Sequence, residues 1–216
     1  MDVPLFSVVI TTYNRAELLK RALDSLVLQT EKNWEAIIVD DESTDNTYTE
    51  VLPYLESYPA ISYLKKEHSG EPLSKNAGIF YASGKYVTFL DSDDEYAPEH
   101  LELRREILTG DASLSFLHGG VKVIGNPMVP DRFDPEKSVP LSECVIGGTF
   151  FIGREILYEL GGFRDIYLGA DADLLDRALN KGINIKKTAY PTYIYHHEVE
   201  DSITNMLFSD NNTGNT

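Results

Sequence analysis

From Phe6 to Asp94 the chain alternates apolar runs with segments of helical period, and this alternation constrains its fold more than any other feature. FSVVIT (6–11), WEAIIV (34–39), ISYLK (61–65) and KYVTFL (85–90) read as strands. Between them, Leu19, Ala22, Leu23 and Leu26 recur at helical spacing, with Asn14 placed to cap that helix. Val51 and Leu55 mark a shorter helix, and Pro72 suits the first turn of a helix over Leu73 to Ala82 that Gly84 ends. Near-continuous apolar strands are those covered on both faces. A β-α-β-α-β-α-β order therefore predicts an α/β fold with a mostly parallel central sheet flanked by helices. In such sheets ligands bind beyond the carboxyl ends of the strands. Those ends carry Thr11-Thr12-Tyr13, Asp40-Asp41 and Asp91-Ser92-Asp93-Asp94, which should converge on one crevice.

Side chains alternate faces along an extended chain, so Asp91 and Asp93 are expected on one face, about 6–7 Å apart. Carboxylates so placed repel each other unless a cation lies near them. Mg2+ or Mn2+ takes oxygen ligands of this kind, with substrate phosphates completing the shell. An acidic turn that merely ends a strand is the competing reading of the tetrad alone, and the convergence of three polar clusters favours the metal. No G-x-G-x-x-G follows the first strand and no G-x-x-x-x-G-K-[ST] occurs, so the metal is left to hold any phosphates.

At 216 residues and 42% hydrophobic the chain can bury the core of one domain. A net charge of −16 disfavours nucleic acid and anionic lipid, and would repel a nucleoside diphosphate unless a bound metal offset it locally. No run approaches the roughly 18 apolar residues of a membrane span, and MDVPLFSVVITT lacks a basic start. No transmembrane segment is expected; a cytoplasmic protein is, with peripheral membrane contact left open. The single cysteine, Cys144, excludes an intramolecular disulfide and reads as inert core.

The second half is less regular. Pro98 opens a helix through Leu101, Leu103 and Leu108, and Ser113 to Ile124 holds one or two strands. Gly125 to Pro140, with four prolines, reads as a long irregular segment. A strand over Gly148 to Ile152, a helix over Arg154 to Leu160, a Gly161-Gly162-Phe163 turn and a helix over Asp171 to Lys181 follow. Two short strands within Ile183 to His196 and a polar tail (209–216) complete the chain.

In SVVITTYNR (7–15), IIVDDESTDNT (37–47), SKNAGI (74–79), SGKYVTFLDSDD (83–94), GGF (161–163) and GADADLLDRAL (169–179), the chain resembles the family 2 glycosyltransferases, over roughly Phe6 to His197. The resemblance implies the GT-A fold, the Rossmann-like fold of nucleotide-diphospho-sugar transferases. It implies a single domain over 1–208, with a nucleotide-binding half of about 1–95 and an acceptor half of about 96–208. Position by position, it implies that Thr11 and Tyr13 line the base pocket with Arg15 close by. Asp41 would accept the base N–H, which suits uracil, and Lys75 would face the nucleotide. Asp91 and Asp93 would form the D-x-D element, Asp93 bonding Mn2+ or Mg2+ and Asp91 supporting ribose or metal, and Asp171 would be the catalytic base.

The implied activity is inverting transfer of a hexosyl or N-acetylhexosaminyl group in polysaccharide biosynthesis. The donor would be a nucleotide-sugar, a UDP-sugar by preference, and the acceptor a hydroxyl of a glycan, lipid-linked or small molecule. A nucleotidyltransferase and a catalytically silent nucleotide-sugar binding domain are the alternatives. Two departures stand out: Ala170 precedes Asp171 where the family often carries an acid, and Glu42 stands where Gly is common. The chain also stops soon after His197, which leaves either an open site for a small acceptor or one that a partner completes. Turn shaping is the rival reading of Asp40 and Asp41 and the one kept for Asp45; His68 reads as loop surface, and His196 and His197 stay outside the ligand set.

Overall fold

The computed structural model describes residues 3–131, 134, 137–166 and 168–198. The expected polar tail and the 208 boundary lie outside them. β1 (Phe6–Thr12), α1 (Ala16–Val27), β2 (Trp34–Asp40), α2 (Thr47–Ser57), β3 (Ile61–Lys65), α3 (Glu71–Tyr81) and β4 (Tyr86–Phe89) alternate as expected. Then come β5 (Glu95–Tyr96), α4 (His100–Gly110), β6 (Phe116–His118), β7 (Val121–Gly125), β8 (Met128–Pro130) and β9 (Ser138–Pro140). β10 (Phe151–Gly153), α5 (Arg154–Leu160), α6 (Ala170–Asn180), β11 (Ile185–Lys187) and β12 (Tyr193–His197) complete the order.

The main sheet runs β11-β6-β10-β4-β1-β2-β3. Only β10 is antiparallel to its neighbours, so the sheet is mostly parallel. Phe6 lies opposite both Trp34 and Tyr86, and this register brings the carboxyl ends of β1, β2 and β4 to one edge. The period of two along each strand divides the core in two. Phe6, Val8, Ile10, Ala36 and Ile38 pack with Leu19, Leu23, Leu26, Val51, Leu101 and Leu108 of α1, α2 and α4. Val9, Ile37, Val39, Val87 and Phe89 pack with Ile79, Leu157, Leu174 and Ala178 of α3, α5 and α6.

Two local expectations are corrected, those for Asn14 and for the proline-rich segment, and the one for Ser113 to Ile124 is resolved into two strands. Asn14 does not cap α1. It sits at φ 51, and its Oδ1 accepts the Thr44 N–H at 2.7 Å. The Ala16 N–H is taken instead by Asp45 Oδ2 at 3.1 Å, so the cap arrives from the loop after β2. Ser113 to Ile124 splits between sheets: β6 joins the main one, while β7 joins a small sheet ordered β5-β12-β7. The break is Gly119-Gly120, at φ 88 and 79, where a Cβ on Gly120 would run into the Tyr190 carbonyl. Within the proline-rich segment, β8 and β9 form an antiparallel pair, with Pro130 and Pro140 at strand ends, where a missing N–H is tolerated. Cys144 is half-buried, and burial, then Asp131 and Glu143, push its thiol up, which keeps it protonated.

Candidate active site

The acidic tetrad leaves the sheet as a turn. β4 ends at Phe89, and the Asp94 N–H donates to the Asp91 carbonyl at 3.0 Å. The chain is not extended here, so face alternation does not apply, and each carboxylate meets different partners. Asp91 Oδ1 lies 3.2 Å from Lys75 Nζ. Asp93 Oδ2 pairs with Arg15 Nη1 at 2.8 Å, while Arg21 donates to the Asp93 carbonyl. Asp94 is buried and accepts the Tyr193 hydroxyl at 2.6 Å and the His196 N–H at 2.8 Å. The same hydroxyl lies 3.3 Å from Asp91 Oδ2. Burial raises the Asp93 carboxyl, with Arg15 opposing and Asp91 adding to the rise. Burial, then Asp93 and Asp91, hold Asp94 well above the usual range.

Lys75 is turned inward, with its side chain only 4% exposed. Its ammonium meets Glu71 at 2.5 Å and lies 5.8 and 5.6 Å from the ring centroids of Phe89 and Phe163. Burial would lower its pKa, yet Asp91, Glu71 and Asp171 together lift it well above normal. Asn76, the next residue, accepts the Phe163 N–H and donates to the Phe163 carbonyl, each at 2.8 Å, which fixes that ring.

Asp171 lies in the first turn of α6, and its Oδ2 accepts the Gly147 N–H at 2.9 Å. A Cβ at Gly147 would run into this carboxylate, so the approach requires glycine. Burial pushes its pKa up to about 6, with Lys75 opposing and Glu71 and Asp91 adding to the rise.

A second cluster surrounds Asp41, just past β2. Lys66 Nζ donates to Oδ1 at 2.6 Å, and the Ser69 and Gly70 amides donate at 3.0 and 2.8 Å. His68 Nδ1 lies 2.9 Å from Oδ2. Burial alone would raise this carboxyl; the bonds from Lys66 and from the Gly70 and Ser69 amides outweigh it and hold it below the ordinary range. The His68 ring lies against Tyr13, centroids 4.4 Å apart and the planes tilted by 33°. His68 is an exposed loop residue, as expected, and from there it meets both Asp41 and Tyr13. Thr11 is buried at the end of β1. Glu71, unforeseen, links the clusters: it opens α3 directly after Gly70 and pairs with Lys75.

Of the expected site residues, Lys75, Asp91 and Asp171 share one electrostatic cluster, with Arg15 and Asp93 beside it; Tyr13 and Asp41 meet through His68. His196 is engaged by Glu95 and Glu198, and His197 Nδ1 by the Asn126 carbonyl. Asp40 Oδ1 accepts the Ser43 N–H and Asp45 Oδ1 the Thr47 N–H, both turn-shaping bonds. Among the described residues no three carboxylate, imidazole or thiolate groups converge as a ready metal cage. Asp91 and Asp93 supply hard oxygens at a charge-rich turn, which fits an ion that also takes phosphate and water ligands.

The sequence model of glycosyl transferase family 2 matches residues 7–116, from β1 into β6. The chain belongs to this family. It is 32% identical over 163 residues to the Escherichia coli UDP-Glc:alpha-D-GlcNAc-diphosphoundecaprenol beta-1,3-glucosyltransferase WfgD, covering 73% of this chain and 63% of that one. It is 34% identical over 161 residues to the Bacillus subtilis putative teichuronic acid biosynthesis glycosyltransferase TuaG, covering 70% and 63%. The fold matches S. aureus TarS 1-349 in complex with UDP-GlcNAc at a TM-score of 0.75 and 22% identity, over 92% of this chain and 60% of that one. It also matches the Pyrobaculum calidifontis mannosyltransferase PcManGT, in complex with GDP-Man and Mn2+, at 0.71 and 22%, over 90% and 57%. The fold is therefore GT-A, and the chain spans at most 63% of the length of these proteins.

Proposed function

We propose that the chain transfers a sugar from a UDP-sugar to an acceptor hydroxyl with inversion, assisted by a divalent metal. The observation that carries this reading is the placement of Lys75, turned inward with its ammonium 3.2 Å from Asp91 Oδ1 and near enough to Asp171 to act on its charge. It ties a carboxylate at the donor edge to one on the acceptor side. The names of WfgD and of the TarS complex support a UDP-sugar, and the PcManGT complex supports a metal. WfgD's name also supports a lipid-linked diphosphate acceptor. Such an acceptor would be met at a membrane surface; no helix among the described residues is long and apolar enough to cross one.

Asp91 and Asp93 would hold Mn2+ or Mg2+, which neutralises charge developing on the leaving diphosphate. Tyr13 and His68 offer flat faces to the base. Asp41 already receives bonds from Lys66, His68, Ser69 and Gly70, so a base N–H must displace a donor. Lys66 is the one best placed to leave, because its ammonium also bonds the Glu67 carbonyl and Ser69 Oγ. Asp171 keeps Oδ2 on the Gly147 amide and offers Oδ1 to the acceptor hydroxyl, whose proton it takes as the oxygen attacks. With one base and no enzymic nucleophile, a single displacement inverts the anomeric centre; glycosidases show the same dependence of stereochemistry on carboxylate role.

Calorimetric titration of UDP, GDP and CDP, with and without Mn2+, tests the donor site. UDP binding that needs both Mn2+ and Asp93, judged against Asp93→Ala, is the expected result. Failure of the folded protein to bind any nucleotide would remove the reading.

A further inference from the structure

The Arg15–Asp93 ion pair has no part in the chemistry above, and its position is informative. Nη1 sits 2.8 Å from Asp93 Oδ2, with the two side chains 19% and 11% exposed. An oxygen held this way is not free for a metal. The backbone of Asp93 does not depend on Arg15: the Asp91–Asp94 turn shapes it, and Arg21 bonds its carbonyl from the next turn of α1. Removing the Arg15 guanidinium would therefore free the carboxylate without moving the chain that carries it. Asp91, Asp94 and Glu71 all interact electrostatically with Asp93, so a bare Asp93 would sit among like charges. One cation can leave only if another replaces it.

Arg15 directly precedes α1, at the edge where the carboxyl ends of β1, β2 and β4 meet. A diphosphate arriving there offers the guanidinium a partner with more charge and several acceptor oxygens, which its planar fork can bridge. We propose that Arg15 is a cation placeholder, holding Asp93 until a nucleoside diphosphate draws the guanidinium onto its phosphates and releases the carboxylate to a divalent cation. This rests on the reading of Asp91 and Asp93 as the metal carboxylates. It makes Arg15 a diphosphate-binding residue and couples metal to nucleotide, each strengthening the other by the same factor.

The test is Mn2+ binding, followed by the electron paramagnetic resonance of free Mn2+, in wild type, Arg15→Gln, Arg15→Lys and Asp93→Ala, with and without UDP. Without UDP, Arg15→Gln should bind Mn2+ roughly three- to tenfold more tightly than wild type, the range expected for losing a partly buried ion pair. Metal-free UDP should bind this variant more weakly, and the gain in Mn2+ affinity on adding UDP should shrink. Arg15→Lys, which keeps the charge without the fork, should fall between and covers the case of a poorly folded glutamine variant. Unchanged or weaker Mn2+ binding by Arg15→Gln in the absence of UDP overturns the placeholder. If Asp93→Ala binds Mn2+ like wild type under both conditions, the metal reading itself falls and the placeholder with it. Loss in Asp93→Ala with no change in Arg15→Gln sinks the placeholder alone.

Discussion

Asp41 and Asp171 both lie beside the start of α3, and their surroundings treat them in opposite ways. Asp41 is buried but supplied with donors, and its carboxyl is held low. Asp171 receives one amide bond, faces Glu71 and Asp91, and is pushed up to about 6. A carboxylate whose lone pairs are all engaged is a strut: it holds the loop of Lys66, Ser69 and Gly70 in place. A carboxylate with an open oxygen and crowding charge retains its appetite for a proton. Catalysis needs the second kind and a binding pocket needs the first.

The largest effect should come from Asp171→Asn. The amide can still accept the Gly147 N–H, so the fold and UDP binding should persist while transfer falls about 10²- to 10⁴-fold, the usual worth of a positioned base. In wild type, kcat/KM should rise with pH through about 6, as Asp171 ionises, and that limb should vanish in the variant's residual activity. Undiminished transfer by Asp171→Asn would end the base assignment.

Stability should split the pair the other way. Asp41→Ala leaves the Ser69 and Gly70 amides without their acceptor and takes one partner from the half-buried Lys66 ammonium, and should cost about 2 kcal/mol in denaturant unfolding. Asp171→Asn should instead stabilise the protein by about 1–2 kcal/mol near neutral pH, because the native state tolerates the ionised acid less well than the unfolded chain does. The pH dependence has opposite signs. Asp171, with a raised native pKa, destabilises fully above about 6 and not at all below the unfolded value of 3.8, so the gain from Asp171→Asn should disappear in acid. Asp41, with a depressed pKa, stabilises above 3.8 and loses that contribution as pH falls through its native value. Equal signs for the two variants at neutral pH would erase the distinction.

The same contrast marks what the sequence made legible. β1 and β2 were readable because each is a seven-residue, largely apolar run covered on both faces, β3 and β4 because they alternate with helical segments, and the acidic ends follow from topology. The network around Asp41 was not, because its donors come from a loop more than 20 residues away. The turn at Asp91–Asp94 was misread as extended because nothing local opposes a strand there; Tyr193 and His196, from β12, are what hold Asp94. In the second half, strands of three residues such as β6, β8, β9, β10 and β11 carry too few side chains to show a period, and their partners are distant in sequence. The GGF turn was visible, but its purpose, placing Phe163 over Lys75, appears only once α3 lies beside it.

The smallest expected effect sharpens the strut. Glu42 sits at φ 74, a left-handed conformation that suits glycine and costs a residue with a Cβ about 1 kcal/mol. Its Oε2 also accepts the His68 N–H at 3.1 Å, bracing the loop that Asp41 holds from the other side. Glu42→Gly would relieve the strain while losing that bond and loosening the unfolded chain, so net stability should move by less than about 1 kcal/mol. UDP affinity should still fall about two- to threefold, because the Tyr13–His68 ring pair loses one of its two supports. If Glu42→Gly binds UDP as wild type does, Asp41 alone suffices to hold the loop, and the strain at Glu42 has no counterpart in donor binding. If affinity falls while stability holds, the glutamate is a positioning residue whose backbone strain is tolerated for the sake of the loop it braces.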